Sequence, residues 1–318
     1  MSRLRAAEVG TGPKGNQHIS ILNEFEEVEL VAICDPSAEA RNKVGDEYGI
    51  SNRYASLEEL LDGEELDVVF AATPPLLNAP VAQTCMERGL HTFLEKPPGL
   101  NSSETTALRD AATKAGVKAM VGLNRRFHPM IAKAKEMVEE RGPIVQLVGE
   151  FHKSMTMLSN SRHSNVPEVM DNWLVANDIH AIDVVRYLAG ANVAEVHSFA
   201  RRAFAKYRDL HAALVIFEND CVANYAFNYT TGYRLERYEI HGRDISVFLE
   251  GIDKGTVYCD GKMSEMPTAD TGGTEEELRY FVDCVLEDRP VELPAANLDE
   301  AVKSMELAEA IRAGFRET

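Results

Sequence analysis

Leu4-Arg5-Ala6-Ala7-Glu8-Val9-Gly10-Thr11-Gly12-Pro13-Lys14-Gly15 is the stretch that decides the fold. Leu4–Val9 is short and of mixed apolar character and reads as a strand. Gly10, Gly12 and Gly15 then fit G-x-G-x-x-G, directly ahead of a helix predicted over Asn16–Phe25. Glycines at a strand-to-helix junction permit a tight turn and a close approach of backbone to a pyrophosphate. The helix start behind them supplies unpaired N–H groups and the positive end of a dipole. Gly10, Thr11, Gly12, Pro13, Lys14 and Gly15 are therefore the candidate phosphate cradle, with Lys14 either adding charge or merely solvated. A glycine-rich loop without a ligand fits the bare pattern too, and the position at the first junction of an alternating series is what favours a dinucleotide.

Outward from this turn, strand-like and helix-like segments alternate. Glu29–Cys34 reads as a buried strand and Ser37–Tyr48 as a helix. Ser56, with Glu59 three residues on, is a capping-box signature for a helix over Leu57–Leu61. Asp67–Ala72 is a further buried strand, followed by a helix over Leu77–Arg88 and a short strand at His91–Leu94. Asn101 and Glu104 form a second cap-like pair before a helix over Glu104–Ala115, and Val117–Val121 ends the series. Such alternation implies an α/β fold with a doubly wound parallel sheet.

The second half has a different rhythm. A helix over Pro129–Glu140 precedes Pro143–Phe151, and a long polar segment, Lys153–Asp171, leads to a helix ending near Leu188. Strands follow at Val193–Ala200, His211–Phe217, Cys221–Tyr229, Arg234–His241 and Ser246–Gly251, separated by turn signals, and helices at Thr274–Glu287 and Leu298–Phe315 close the chain. Strands this closely spaced imply a mostly antiparallel sheet. With 318 residues and about 150 per domain, two domains are expected: 1–123 for the dinucleotide and 124–318 for substrate and oligomer contacts. On the strand Cys221–Tyr229, Ala223, Tyr225, Phe227 and Tyr229 share one side, a face suited to burial in a homodimer or homotetramer.

Composition narrows the partners. Acidic residues number 51 and basic ones 33, a formal net charge of −18, and that field repels nucleic-acid backbones and anionic membranes. No apolar run approaches the ~20 residues of a membrane span. Met1–Arg5 opens no secretory signal, so a soluble, cytoplasmic chain is expected. Cys34, Cys85, Cys221, Cys259 and Cys284 are odd in number and scattered; neither disulfides nor a metal site is expected, and Cys34 and Cys85 read as buried thiols.

Asp35 follows the second strand, where a carboxylate accepts hydrogen bonds from ribose hydroxyls and repels a 2′-phosphate. NAD is accordingly expected over NADP, although Arg41, one turn into the next helix, softens that exclusion. The alternative for Asp35 is a strand-end residue capping the helix through Pro36-Ser37.

Four further motifs, in order, are Ala72-Thr73-Pro74-Pro75, Glu95-Lys96-Pro97, Gly122-Leu123-Asn124-Arg125-Arg126-Phe127 and Asp178-Ile179-His180-Ala181-Ile182-Asp183. This set resembles the glucose–fructose oxidoreductase / inositol dehydrogenase / MocA family of NAD(P)-dependent oxidoreductases, over nearly the whole chain. The resemblance implies a Rossmann domain, then an α/β domain with an open, largely antiparallel sheet that often forms a subunit interface. It also implies hydride transfer between nicotinamide and a sugar, cyclitol or related alcohol carbon, with Ala72, Thr73, Pro74, Glu95, Lys96 and Asn124 at the coenzyme.

Lys96 matches the family lysine. Oxidising an alcohol needs a group that takes the hydroxyl proton as hydride leaves, or a cation that polarises the oxygen; a surface Glu-Lys pair is the alternative. His180 matches the second-domain histidine, a natural acid/base near neutrality, and shares a helix face with Asp183 and Tyr187. Asp183 either orients that imidazole or pairs with Arg186 or Arg125. The chain departs from the family at Ala176, where many members carry an aspartate four residues before the histidine. Asp178 is the candidate replacement if it sits at the helix N-cap. Asn78 stands where a histidine often follows the TPP-like motif. Asn124 and Arg125 are expected to end a strand, with Arg125 or Arg126 touching substrate or forming an inter-domain salt bridge. The segment from Phe151, His152 and Lys153 to Trp173 suits a substrate-covering loop, with Lys153, Arg162, His163 and Trp173 the residues of interest; Trp173 either stacks on a sugar or is core. Three functions fit: a dehydrogenase of polyhydroxylated substrates, an enzyme that retains its NAD through elimination or epimerisation, and a nucleotide-sensing regulator.

Overall fold

The computed structural model describes residues 3–161, 164–267 and 272–316. Arg162 and His163 lie outside the described residues. The first run of elements is β1 (Leu4–Val9), α1 (Pro13–Leu22), β2 (Val28–Cys34), α2 (Ala38–Tyr48), β3 (Asn52–Tyr54), α3 (Leu57–Gly63), β4 (Val68–Ala71), α4 (Pro75–Glu87), β5 (His91–Glu95), α5 (Ser102–Ala115) and β6 (Ala119–Gly122). All six strands pair in parallel, in the order β3-β2-β1-β4-β5-β6. This is the doubly wound order, with the chain reversing direction across the sheet between β1 and β4. Such strands are covered on both faces and are apolar on both: Ala6, Ala7, Ala32, Ile33, Val69, Phe70, Ala71, Phe93 and Leu94 are buried.

Local chemistry sets the ends of the helices. Ser56 Oγ accepts from Glu59 N–H, and Asn101 Oδ1 accepts from Glu104 N–H at 2.9 Å. The helix expected at Asn16–Phe25 instead begins inside the glycine motif, with Gly12 at the N-cap and Pro13 as first residue. Proline is preorganised for that position because its missing N–H has no partner there.

The remaining elements are α6 (Pro129–Glu139), β7 (Gln146–His152), α7 (Met155–Ser159), α8 (Pro167–Asp171), α9 (Trp173–Ala176), α10 (Ile179–Ala189), β8 (Val193–Arg201), β9 (Leu210–Phe217), β10 (Val222–Asn228), β11 (Leu235–Gly242), β12 (Ile245–Glu250), β13 (Lys254–Cys259), β14 (Lys262–Met266), α11 (Thr274–Leu286) and α12 (Leu298–Ala313). Asn124 and Arg125, expected at a strand end, lie instead in a 3-10 turn, Asn124–Phe127, beyond the end of β6 at Gly122. The polar segment after β7 is broken by α7 and α8 rather than being plain loop. The second sheet has eight strands in the order β14-β13-β12-β11-β7-β10-β9-β8, antiparallel except for the β7–β10 pair.

The chain forms two compact units, and they are not consecutive in sequence. The residues up to Leu123 join Thr274–Val302 in one, and Asn124–Gly273 joins the chain from Lys303 onward in the other. The expected second domain of 124–318 therefore gives up Thr274–Val302 to the first unit. The reason lies in packing: Phe281 of α11 stands edge-on to Phe70, ring centroids 6.1 Å apart, and beside Phe93 at 5.9 Å. Val121 N–H of β6 also donates to Ala296 C=O at 2.9 Å.

In the second unit, α10 lies on one face of the sheet. A Cβ on Gly149 would come within 2.9 Å of Val185, so the close seating of helix on β7 requires glycine there. Ala223, Tyr225, Phe227 and Tyr229, expected on the open side, are buried on this inner face instead, and Tyr225 hydroxyl donates to Ile182 C=O of α10. The outer face carries the alternate residues, among them the exposed Phe199, Leu214, Tyr258 and Met263. Among the described residues no helix is long and apolar enough to cross a membrane. All five cysteines are free thiols, and burial pushes Cys34 up to about 11 and Cys85 up to about 12.

Candidate coenzyme and active site

The glycine turn is closely fitted to the strand ends around it. Gly10 has φ +98°, and a Cβ there would lie 2.4 Å from Ala72 C=O; a Cβ on Gly15 would lie 1.8 Å from Gly10 C=O. Only glycine lets the backbone fold back this tightly. The turn thus runs beside Ala72 and Thr73, at the carboxyl ends of β1 and β4. Helix α1 has no side-chain cap and no acidic residue in its first turn, so the N–H groups of Lys14 and Gly15 lack intrahelical acceptors and face forward.

Asp35 directly follows β2. Its Oδ2 accepts from Thr11 N–H at 2.8 Å and its Oδ1 from Ser37 N–H at 2.8 Å. The helix cap itself is Ser37, whose Oγ accepts from Ala40 N–H. Asp35 is thereby held against the turn, with lone pairs remaining for ribose hydroxyls, since an ionised carboxylate offers about four acceptor sites. Arg41 Nη1 donates to the Asp35 carbonyl, which ties its guanidinium to the same strand end. A tight turn open to an anion, with a fixed carboxylate at the next strand end, fits the pyrophosphate and adenosine ribose of a dinucleotide.

Lys96 follows β5 in this same unit and is half-buried. Its N–H donates to Glu95 Oε2 at 3.2 Å, and Glu95 Oε1 stands 3.4 Å from Lys14 Nζ. The Glu95-Lys96 pair is therefore bound to the glycine turn through Lys14. Glu95 is buried; burial opposes its charge, but the hydrogen bond from His18 and the charges of Lys14, His18 and Lys96 hold its carboxyl well below the usual range. Asn78, whose meaning the sequence left open, joins two of the motifs: Thr73 Oγ1 donates to Asn78 Oδ1 at 2.6 Å, and Asn78 Nδ2 donates to the carbonyls of Glu95 and Pro97 at 3.0 and 2.9 Å. Nothing in the spacing of Asn78 signals that bridge.

The second unit gathers Lys153, Trp173, Asn177 and Asp178. Lys153 Nζ donates to Asp178 Oδ1 at 2.6 Å and to Asn177 Oδ1, and lies 5.3 Å from the Trp173 ring centre. Asp178 occupies the N-cap position of α10, yet its side chain does not cap. It is fully buried and turned to Lys153. Tyr229 is fully buried as well; burial first, and then the Asp178 charge, raises its hydroxyl well above the usual range. His180 is half-buried on the first turn of α10.

The arginines have structural partners within the second unit. Arg125 meets Glu236 through Nε and Nη2 at 3.1 and 3.2 Å, and burial works against the Glu236 charge but Arg125 and Arg234 together hold its carboxyl down. Arg126, with a fully buried side chain, meets Asp183 at 2.7 and 2.8 Å, and Ser304 Oγ donates to the same carboxylate at 2.7 Å. Asp183 thus has Arg126 and Ser304 as partners. Asn124 Nδ2 donates to Gly272 C=O at 2.9 Å.

Residues 4–123 match the model of the oxidoreductase family with an NAD-binding Rossmann fold, and residues 131–248 match the GFO/IDH/MocA C-terminal domain. The chain belongs to the GFO/IDH/MocA family. It is an oxidoreductase with an NAD-binding Rossmann domain. It is 27% identical to the uncharacterized oxidoreductase YrbE of Bacillus subtilis, over 68% of this chain and 64% of that protein. It is 25% identical to the scyllo-inositol 2-dehydrogenase (NAD(+)) of Bacillus subtilis, over 99% of this chain and 94% of that protein. An oxidoreductase from Agrobacterium radiobacter, solved in complex with NAD+, L-tartaric acid and magnesium, has the same fold, with a TM-score of 0.85 at 17% identity, covering 98% of this chain and 96% of that one.

Proposed function

We propose that this GFO/IDH/MocA member is a dehydrogenase that oxidises a CH–OH group of a sugar, cyclitol or related polyol, with NAD preferred to NADP. The observation that carries the reading is the link from Glu95-Lys96 to the glycine turn through Lys14, which supports Lys96 as the proton acceptor and the turn as the phosphate cradle. The full-length likeness to an NAD(+)-dependent scyllo-inositol 2-dehydrogenase supports the substrate class. Asp35, fixed by Thr11 N–H, supports NAD, since its carboxylate repels a 2′-phosphate.

When bound, NAD supplies the hydride acceptor at the nicotinamide ring. Lys96 takes the hydroxyl proton as the carbinol C–H bond breaks, leaving a carbonyl, and His180 is the acid/base candidate of the second unit. Asp178 serves by fixing Lys153, which with Trp173 and Arg125 orients the polyol. Thr73 helps to hold the coenzyme. A homodimer or homotetramer forms through the outer face of the second sheet, where Phe199, Leu214, Tyr258 and Met263 are exposed beside the Glu150–Arg237–Glu239 ion pairs.

The test is NADH formation over a panel of cyclitols and sugars. The wild type is expected to reduce NAD with at least one of them. Lys96→Ala should lower kcat by about 10²–10⁴-fold while NAD binding persists. Full kcat in Lys96→Ala would remove the lysine from the chemistry. Turnover without accumulating NADH would point to a retained coenzyme, and NAD binding without any turnover to a sensor.

A further inference from the structure

Buried in the first strand is a charge that a parallel sheet does not need. Glu8 lies in β1 between Ala7 and Val9 and has no exposed surface; ionising a carboxyl removed from water is strongly disfavoured. Neither of its oxygens accepts a hydrogen bond among the described residues. Facing it is His18 of α1, also fully buried, with Nδ1 at ion-pair distance, 3.4 Å from Glu8 Oε1. The other ring nitrogen, Nε2, stands 3.3 Å from Glu95 Oε1, the oxygen that Lys14 also faces. The row Glu8, His18, Glu95, Lys14 thus begins under the glycine turn and returns to it. Glu8 meets the turn directly as well, because a Cβ on Gly15 would come within 3.1 Å of Glu8 Oε1.

One imidazolium between two carboxylates balances one negative charge, and Lys14 turns to Glu95. Glu8 is the member left to be either charged or neutral. Around it, α1 contributes His18 and Lys14 and β5 contributes Glu95; β4 carries no charge, β2 only the exposed Glu29, and α11, which packs against α1, the buried carboxyl of Glu277.

We infer that Glu8 makes coenzyme binding proton-linked: a pyrophosphate on the Gly10–Gly15 turn and a charged Glu8 beneath it oppose each other, so NAD enters together with a proton that Glu8 takes from solvent. This rests on the reading that the turn holds the pyrophosphate. Burial, against the opposing pull of His18, already pushes the Glu8 carboxyl up to about 7. Burial opposes the charge on His18 too, but Glu8 and Glu95 keep it protonated above its ordinary range, so His18 has no proton left to gain near neutrality. The sign follows. Well below pH 7 Glu8 is neutral, binding takes up no proton and affinity is flat. Above pH 7 the free protein carries the charge, binding must neutralise it, and affinity falls as pH rises.

Isothermal titration of coenzyme-free protein with NAD, in two buffers of different ionisation enthalpy, reads the proton count directly. The expected result is uptake of nearly one proton per NAD at about pH 8, none at about pH 5.5, and an affinity roughly tenfold weaker at the higher pH, as one group that titrates near 7 in the free protein and stays neutral at pH 8 in the complex requires. Glu8→Gln should take up no proton and bind equally at both pH values. NAD binding without proton uptake at any pH overturns the inference, from the wild type alone should the variant not fold. Uptake that survives in Glu8→Gln overturns the assignment to Glu8. No binding of NAD at any pH would instead overturn the reading of the turn, and the inference with it.

Discussion

His211 on β9 is buried, with Phe227 edge-on at 6.4 Å and Tyr229 at 6.1 Å. Burial, with Arg312 and Arg208 adding to it, drops its pKa to about 4. An unfolded imidazole titrates near 6.5, so between those values the unfolded chain binds more protons than the folded one. The neutral ring is therefore compatible with the fold above pH 6.5, and stability is lost as pH falls through that window, by about 3 kcal/mol in full. His211→Phe, which keeps the aromatic packing without the titration, should be about 2 kcal/mol less sensitive between pH 6.5 and 4.5 in urea unfolding. Equal slopes for variant and wild type would remove His211 from acid sensitivity. Other single residues show how far pattern reaches. Asp35 was legible because a strand end followed by a helix is a local signal. Glu8 was not, since one acidic residue in a short mixed strand looks like a solvated position until the covering helix is known. Asn78 and Asp183 likewise declare their partners, Thr73 with Glu95 and Pro97, and Arg126 with Ser304, only in three dimensions.

Elements were readable where their signals are local. Asn101 is an example: its Oδ1 accepts from Glu104 N–H, its Nδ2 donates to Glu104 Oε1 at 2.7 Å, and Glu104 Oε2 accepts from Leu100 N–H at 2.8 Å. That closed set satisfies donors at the start of α5, which a helix leaves unpaired. Asn101→Ala should lower stability by about 1 kcal/mol and Asn101→Asp by less, as read from denaturant midpoints; no loss in Asn101→Ala would mean that water caps the helix equally well. Elements without such signals escaped. Strand β3 is three polar residues whose place comes from pairing with β2 at the sheet edge. Strand β14 is mostly exposed and β13 largely half-buried, and they form because β12 offers them a free edge. The alternation in β10 identified a strand, but a period of two distinguishes faces without saying which is inside. The aromatic side, Tyr225 and Phe227, went to the core because α10 covers it.

At the scale of the whole chain, the segment that returns to the first unit is what no local pattern could reveal, since an amphipathic helix shows that it has a buried face but not which sheet it covers. Three separate contacts bind Thr274–Val302 to that unit. Phe281 completes an aromatic cluster with Phe70 and Phe93, Ala296 C=O takes the N–H of Val121, and Lys14 Nζ donates to Thr274 Oγ1 at 3.2 Å, beside the glycine turn. A chain ending at Leu123 would expose Phe70 and Phe93 where α11 now covers them, and burying a phenylalanine side chain is worth about 2 kcal/mol or more. Residues 1–123 alone should therefore lack a sharp thermal transition in near-ultraviolet circular dichroism and should bind NAD weakly. Joining 1–123 to 274–302 through a flexible linker should restore both the transition and the binding. Should the shorter chain unfold as sharply, and bind NAD as tightly, as the linked one, the returning segment would be a passive covering and the coenzyme unit would be complete at Leu123.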